Sequence, residues 1–334
     1  MTGGSGGDGA GLGVLGVDIG GTKVALRAEQ VAADPRGVAA GPAEVPRAGE
    51  GRAAPTAGGR AYERVLTWPG GGVDADVAAL ADAVGALRTE SGLRFAAVGV
   101  AMPGTTGPTG RVVVWPGRPS WAGLPFDETL RRLFPGSRTA WADDGDLAAL
   151  AEARHLGAQD VVYLGVGTGV GGGVVLGGRA LPTPGRGSPE VGHLVVDVDG
   201  PRCDCGRHGC LQAVASGPAT LRRAGAARGG EVGFGELRDG LERDRPWAHD
   251  AVRPAATALA AAVVSLGELL DPAVAVLGGG FAAGLPGFVD LVGREVVRLT
   301  RPGRPAPAVR AAALGGLSSL HGAVALARDL AAPR

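Results

Sequence analysis

Apolar residues fall into two rhythms along the chain, one of short unbroken runs and one of helical spacing. Residues 14–17 form a short apolar run that ends in Asp18-Ile19-Gly20-Gly21-Thr22-Lys23, and residues 24–27 resume the apolar character. Two strands joined by a glycine-rich turn are predicted there. Within residues 74–91 the apolar positions Val77, Leu80, Val84 and Leu87 recur at helical spacing, and a continuous run, residues 95–102, follows before Pro103-Gly104. A helix that delivers the chain to a buried strand is the grammar of an α/β domain.

Residues 112–115 read as a further strand, followed by the loop PGRPSWAGLPF; a short helix over 127–133 and a strand over 138–141 come next. Asp143-Asp144-Gly145-Asp146 then opens a helix that runs to about His155. Residues 161–178, VVYLGVGTGVGGGVVLGG, form a second hairpin around a glycine-rich turn. Leu15-Gly16-Val17-Asp18-Ile19-Gly20 set beside Leu164-Gly165-Val166-Gly167-Thr168-Gly169 gives two copies of one device, one in each half of the chain. A repeat at this separation points to duplicated α/β domains facing one another, because a solenoid has a far shorter period. From residue 213 the chain is mainly helical to Leu270, where Asp271-Pro272 ends the run. A buried strand over 273–277, Gly278-Gly279-Gly280 and a last helix over 316–330 complete the pattern. Residues 1–11 are expected to be a disordered leader, and residues 29–72, crowded with Pro, Gly and Ala, a long loop with one strand near Val65-Leu66-Thr67-Trp68.

Composition narrows the partners. The 334 residues carry 33 basic and 33 acidic side chains, so no bulk attraction to nucleic acid or an anionic membrane is implied. Lys23 is the only lysine. No stretch reads as a signal peptide, and the most apolar helix, residues 255–270, is alanine-rich and carries Glu268, as a buried helix of a soluble protein does.

The chemistry concentrates in SPEVGHLVVDVDGPRCDCGRHGCLQ, residues 188–212, which holds all three cysteines in the pattern His193-x9-Cys203-x-Cys205-x4-Cys210. Three thiolates and an imidazole are the closed four-ligand set of a structural Zn²⁺, and Gly206 and Gly209 relieve the turn that gathers them. A disulfide would leave one thiol over, so the chain is expected to be reduced and cytoplasmic. Glycine-rich turns between strands let backbone N–H groups approach phosphate oxygens, and two matched turns suit one polyphosphate. The pattern GxxxxGK[ST] is absent. At Asp143-Asp144 two readings stay open on the residues alone, a helix cap or a catalytic carboxylate. Gly278–Gly280 is likewise either an adenosine contact or a plain loop.

Glu190-x-Gly192-His193 followed by Cys203-x-Cys205-Gly206-x-x-Gly209-Cys210-Leu211 closely resembles the signature of the ROK family, a group of sugar kinases and sugar-responsive repressors. The resemblance implies two actin-like ATPase domains of ribonuclease H type with a cleft between them and a structural zinc site. The first domain would span residues 12–140 and recover the final helix, 316–331, while the second would span 141–315. Asp18 would face Mg²⁺, and Gly20, Gly21, Thr22 and Lys23 would line the phosphates of ATP. Gly167, Thr168 and Gly169 would hold them from the other side, with Gly278, Gly279 and Gly280 at the adenosine. Residues 143–152, DDGDLAALAE, are similar to the family's NDANAAALGE, which makes Asp144 the general base for a substrate hydroxyl. Glu190 and His193 would bind sugar hydroxyls, His193 giving its other ring nitrogen to the metal. Residues 98–104, ending in Gly104, resemble the stretch before the sugar loop, and Trp121 is either a family tryptophan after that loop or a core tryptophan. Dimers or tetramers are common in the family.

The departures fall in the sugar pocket. Both asparagines of NDAN are acidic here, Asp143 and Asp146; the sugar-loop asparagine is Gly117 or Arg118; the glutamate after the last zinc cysteine is Gln212. A carboxylate only accepts hydrogen bonds, so Asp143 favours a donor or a cation on the substrate. The expected substrate is therefore a modified hexose, an amino sugar of kanosamine type or a C7 cyclitol, phosphorylated on its exocyclic CH₂OH. An ordinary glucokinase and a non-catalytic sugar sensor are the alternatives. DNA binding is disfavoured, since only about a dozen glycine-rich residues precede the first turn and no basic reading helix is present.

Overall fold

The structure, a computed structural model, describes residues 11–31, 60–115, 117–181 and 187–332. The expected leader, apart from Gly11, and residues 32–59 of the expected loop lie outside the described residues. The chain divides into two compact units, one running to Asp143 and including the residues from Gly322 onward, the other spanning Asp144–His321.

The first unit contains β1 (Gly11–Ile19), β2 (Lys23–Gln30), β3 (Ala61–Thr67), α1 (Val73–Ser91) and β4 (Leu93–Ala101). A short pair follows, β5 (Thr105–Thr106) and β6 (Val112–Val114), then α2 (Phe126–Leu133) and β7 (Arg138–Ala142). Five of these strands make one sheet in the order β3-β2-β1-β4-β7. β1 is antiparallel to β2 and parallel to β4, and β4 is parallel to β7. The central strands are apolar on both faces, as a covered parallel sheet requires.

Helix α1 buries Leu80, Ala83, Val84 and Leu87, and also Asp76. Each large aliphatic side chain contributes about 1.5–3 kcal/mol when fully buried. The stripe thus begins at Asp76, four residues before Leu80, and not at Val77, which is only half-buried. Four of the five tryptophans belong to one aromatic cluster with Phe126. Trp121 meets Trp68 and Trp115 edge to face, with ring centroids at 5.5 and 4.9 Å, and Phe126 meets Trp141 at 5.5 Å. Such pairs add about 0.5–1.5 kcal/mol each beyond their buried area.

The second unit contains α3 (Asp144–Leu156), β8 (Val161–Val166), β9 (Val170–Leu176) and β10 (Arg179–Leu181), and then four helices. These are α4 (Leu211–Ala215), α5 (Gly217–Arg228), α6 (Phe234–Glu242) and α7 (Pro246–Leu270). The chain continues through β11 (Val274–Gly278), α8 (Gly280–Ala283), α9 (Phe288–Leu299) and β12 (Ala308–Ala311) to α10 (Ser318–Ala331). Its sheet runs β10-β9-β8-β11-β12, with the same two antiparallel and two parallel neighbours as the first. The duplication read from the two hairpins therefore extends to whole sheets. Helix α7 is long and apolar enough to cross a membrane by length and composition, yet 56% of its apolar window is buried inside the protein, as in a core helix. The last part of α10 returns to the first unit, where Val324 and Ala327 pack with Val14 and Ala97.

Candidate functional site

In the first unit the β1–β2 ladder closes at Ile19 and Val24, and the Gly20 N–H donates to the Lys23 carbonyl at 2.9 Å. Asp18 is half-buried at the end of β1, while Thr22 and Lys23 are exposed at the tip. The turn is held from behind through its carbonyls. Trp68 Nε1 donates to Gly20 O at 2.8 Å, Arg118 Nη1 to Gly21 O at 3.1 Å, and the Trp68 backbone N–H to Thr22 O at 3.2 Å. Arg118 stacks on the Trp68 ring, 4.9 Å from its centroid, and pairs with Asp76 through Nε and Nη2.

Of the residues expected around the sugar, Gly104 lies against Met102 and Trp115, and Gly117 lies against Gly21. Arg118 has its guanidinium taken up by Asp76 and the turn. Trp121 is a core tryptophan, 1% exposed, whose Nε1 donates to Asp76 at 2.9 Å. Asp143 is half-buried and directly precedes Asp144.

In the second unit the matching turn closes at Val166 and Val170, with Thr168 exposed at its tip as Thr22 is in the first. The Gly167 N–H donates to Gly169 O at 2.9 Å, and Gly167 O accepts from the N–H of Gly217, the first residue of α5, at 2.9 Å. Gly278 ends β11, Gly279 takes a left-handed φ of 83°, and Gly280 opens α8. A Cβ on Gly279 would run into the backbone of Val166, so the Gly278–Gly280 segment lies against the end of β8.

Asp144 is placed by a close approach of helix to strand. A Cβ on Gly145 would lie 2.5 Å from the Gly172 carbonyl oxygen and one on Gly173 would lie 2.6 Å from the Gly145 carbonyl oxygen, so the first turn of α3 sits directly on β9 only because neither Gly145 nor Gly173 has a side chain. Gly145→Ala is expected to cost about 1–3 kcal/mol, several degrees in a thermal melt. Behind it, burial together with the carboxylates of Glu152 and Asp144 pushes the Tyr163 phenol up to about 12, so it stays a neutral hydroxyl. Glu152, fully buried, accepts from the N–H groups of Ala313 and Leu314 at 2.9 and 3.0 Å and from Ser318 Oγ at 2.8 Å. It ties α3 to the segment that leads into α10.

His193, Cys203, Cys205 and Cys210 bring one ligand atom each within 4.8 Å of one another. His193 Nδ1 lies 3.7 Å from Cys203 Sγ, and Cys205 Sγ lies 3.6 Å from Cys210 Sγ. A tetrahedron of Zn–S bonds near 2.3 Å has edges of about 3.8 Å, close to the separation of the Cys205 and Cys210 sulfurs. With Nδ1 on the thiol side, Nε2 faces the opposite way. The Arg207 backbone and side chain hold the Cys205 thiol down to about 6, whereas burial pushes Cys210 up to about 11. Gly209 makes the turn between ligands at φ 67°, where a Cβ would overlap the Asp197 carbonyl.

The cysteine segment abuts the second glycine turn through Gln212. Its Nε2 donates to Cys203 Sγ at 3.5 Å, and its Oε1 lies beside Gly169 and Gly192. Glu190 is exposed at the head of the 3₁₀ turn Val191–His193, and its carbonyl accepts the His193 N–H at 2.9 Å. The second unit thus gathers Asp144, Gly167–Gly169, Gly278–Gly280, His193 and Gln212 around one sheet end and its neighbouring loops. Asp76, Trp68, Glu152 and Tyr163 are support residues that the sequence pattern did not single out; a carboxylate four residues before Leu80 on an apolar stripe was the one signal for Asp76.

A family model described as "ROK family" matches residues 74–330. The chain is 48% identical over 319 residues to a kanosamine kinase of Amycolatopsis mediterranei, covering 95% of this chain and 97% of that protein. It is similar to the crystal structure of a ROK hexokinase from Thermus thermophilus, at 33% identity and a TM-score of 0.78 over 95% of this chain and 98% of the other. A ROK family glucokinase from Streptomyces griseus, solved with glucose and AMPPNP, matches at 27% identity and a TM-score of 0.70 over 95% and 99%.

Proposed function

The chain belongs to the ROK family and is a sugar kinase, and we propose that it phosphorylates the exocyclic hydroxymethyl of an amino hexose of kanosamine type with ATP. The observation that carries the choice of substrate is the carboxylate of Asp143 directly before Asp144, where the family pattern has an amide. A carboxylate pairs with an ammonium group and has no donor for a hydroxyl oxygen. The identity to a kanosamine kinase over nearly the whole chain supports the same reading.

In the reaction, Asp144 accepts the proton of the hydroxymethyl oxygen as that oxygen bonds to the γ-phosphorus. The bond from the γ-phosphorus to the bridging oxygen breaks and ADP leaves. Asp18 is the carboxylate that would face Mg²⁺ bound with ATP, an ion that would neutralise charge on the phosphates. Gly20–Lys23 and Gly167–Gly169 line the phosphates, the N–H groups of Gly20 and Gly167 closing their hairpins and those of the residues after them facing phosphate oxygens, and Gly278–Gly280 takes the adenosine. Glu190, His193 Nε2 and Gln212 serve the sugar, and a zinc ion on His193, Cys203, Cys205 and Cys210 holds them in place without entering the chemistry.

A panel of glucose, kanosamine, N-acetylated hexosamines and valiolone-type cyclitols, read by coupled ADP release, tests this. A hydrogen bond to a charged group contributes about 1.5–3 kcal/mol, so kcat/KM for kanosamine is expected to exceed that for glucose by roughly 10–100-fold. Asp143→Asn should shrink that ratio. A wild-type preference for glucose by a wide margin would refute the amino-sugar assignment and leave an ordinary glucokinase.

A further inference from the structure

We infer that Arg118 is a positioning residue for the first phosphate turn: seated on the buried Asp76, it fixes the peptide plane that aims the Thr22 N–H at nucleotide phosphate. The inference rests on the reading of residues 20–23 as a phosphate turn and adds what holds that turn in shape.

A trans peptide points its carbonyl and its N–H in opposite directions. Anchoring Gly20 O therefore orients the N–H of Gly21, anchoring Gly21 O orients that of Thr22, and anchoring Thr22 O orients that of Lys23. The three anchors are Trp68 Nε1 at 2.8 Å, Arg118 Nη1 at 3.1 Å and the Trp68 backbone N–H at 3.2 Å. Glycines rotate freely, so two adjacent ones at a phosphate contact need an external hold to keep their amides facing the ligand.

Arginine suits the task for a geometric reason. Its planar fork reaches in two directions at once, with Nε and Nη2 on Asp76 and Nη1 on Gly21 O, while its face stacks on Trp68. Asp76 is 0% exposed and also receives Trp121 Nε1 at 2.9 Å, so the base of the support is fixed from a third side. A lysine could hold one of these partners but not the set.

The zinc-loaded full-length enzyme is compared as wild type, Arg118→Lys, Arg118→Gln and Trp68→Phe. The readouts are KM for Mg·ATP, the Kd of Mg·ADP by calorimetry, and KM for the best sugar of the panel. Arg118→Lys and Arg118→Gln are expected to raise the nucleotide KM and Kd about tenfold and to leave the sugar KM within about twofold. Trp68→Phe keeps the ring but loses the Gly20 anchor; it should move the same constants in the same direction by less, and it gives a result even where the Arg118 variants fail to fold. A rise in sugar KM with unchanged Mg·ADP affinity would make Arg118 a sugar contact and overturn the inference, as would no change in either. Wild-type enzyme that phosphorylates sugar but is indifferent to Thr22→Pro, which lacks the N–H, would instead overturn the reading of the turn itself.

Discussion

Asp144→Asn is expected to lower kcat about 10²–10⁴-fold while leaving the thermal midpoint and both KM values close to wild type. Asparagine matches aspartate in volume, so the first turn of α3 keeps its seat on β9, where Gly145 meets Gly172. It also caps a helix about as well as aspartate does. If Asp144 did no more than cap α3, the variant would therefore be nearly silent in stability and in rate alike. What asparagine cannot do is receive the proton released by the attacking hydroxyl. Coupled ADP release measured with and without sugar separates three outcomes. A catalytic base gives sugar-dependent turnover that collapses in the variant; a cap gives turnover that survives; a non-catalytic sensor gives no sugar-dependent turnover even in the wild type.

Much of this architecture was legible in the sequence, and the parts that were not share a physical cause. The hairpins at residues 14–27 and 161–178 could be read because glycine tips flanked by apolar runs are a local signal, and their likeness pointed to duplicated α/β domains, whose common strand order only the structure shows. The cluster of His193 with the three cysteines was legible because a thiol set of this kind depends on spacing along the chain. Asp76 was not, since its partner Arg118 lies 42 residues away and helical periodicity pointed to Val77 instead. For the sugar loop the family pattern offers Gly117 or Arg118, and only the fold shows that the Arg118 guanidinium sits on a buried carboxylate. Strand β12 escaped notice as well: four residues after Pro305 and Pro307, half-exposed at a sheet edge, carry almost no periodic signal. In each case the missing information is a tertiary contact that no window of sequence contains.

Stripping the metal, or replacing Cys210 by serine, is expected to abolish most of the activity and to lower the thermal midpoint, with zinc bound about one to one in the wild type. The segment that carries the candidate ligands is held otherwise by short loop contacts, among them the Arg202–His208 bridge and the bonds from Cys203 N–H to Arg207 O at 2.8 Å and from Gly209 N–H to Pro201 O at 2.9 Å. Its two arms are joined by the Val195–Cys210 bridge and by the bonds from Val196 N–H to Gly209 O at 2.9 Å and from Leu211 N–H to Leu194 O at 2.7 Å. Without the ion, the Cys205 thiol, held down to about 6 by the Arg207 backbone and side chain, lies 3.6 Å from the buried Cys210 sulfur, with the Arg207 guanidinium as the cation left beside it. The arms should separate, and Gln212 and Gly192 would lose their places beside Gly169 and Val170. Outer contacts of this kind typically cost 10–100-fold in activity when lost, and here the ion orients several of them together. Protons compete with the metal for the same ligands, so zinc is retained least well as pH falls. Metal content by mass spectrometry, calorimetric melting and turnover, each measured before chelation, after it and after zinc is restored, provide the check. Full activity in protein stripped below about a tenth of an equivalent would show that the segment keeps its shape through packing alone. Activity lost with the second unit still folded, and regained with zinc, would confine the ion to orienting His193 and Gln212, because a merely stabilising ion would cost rate only by way of unfolding.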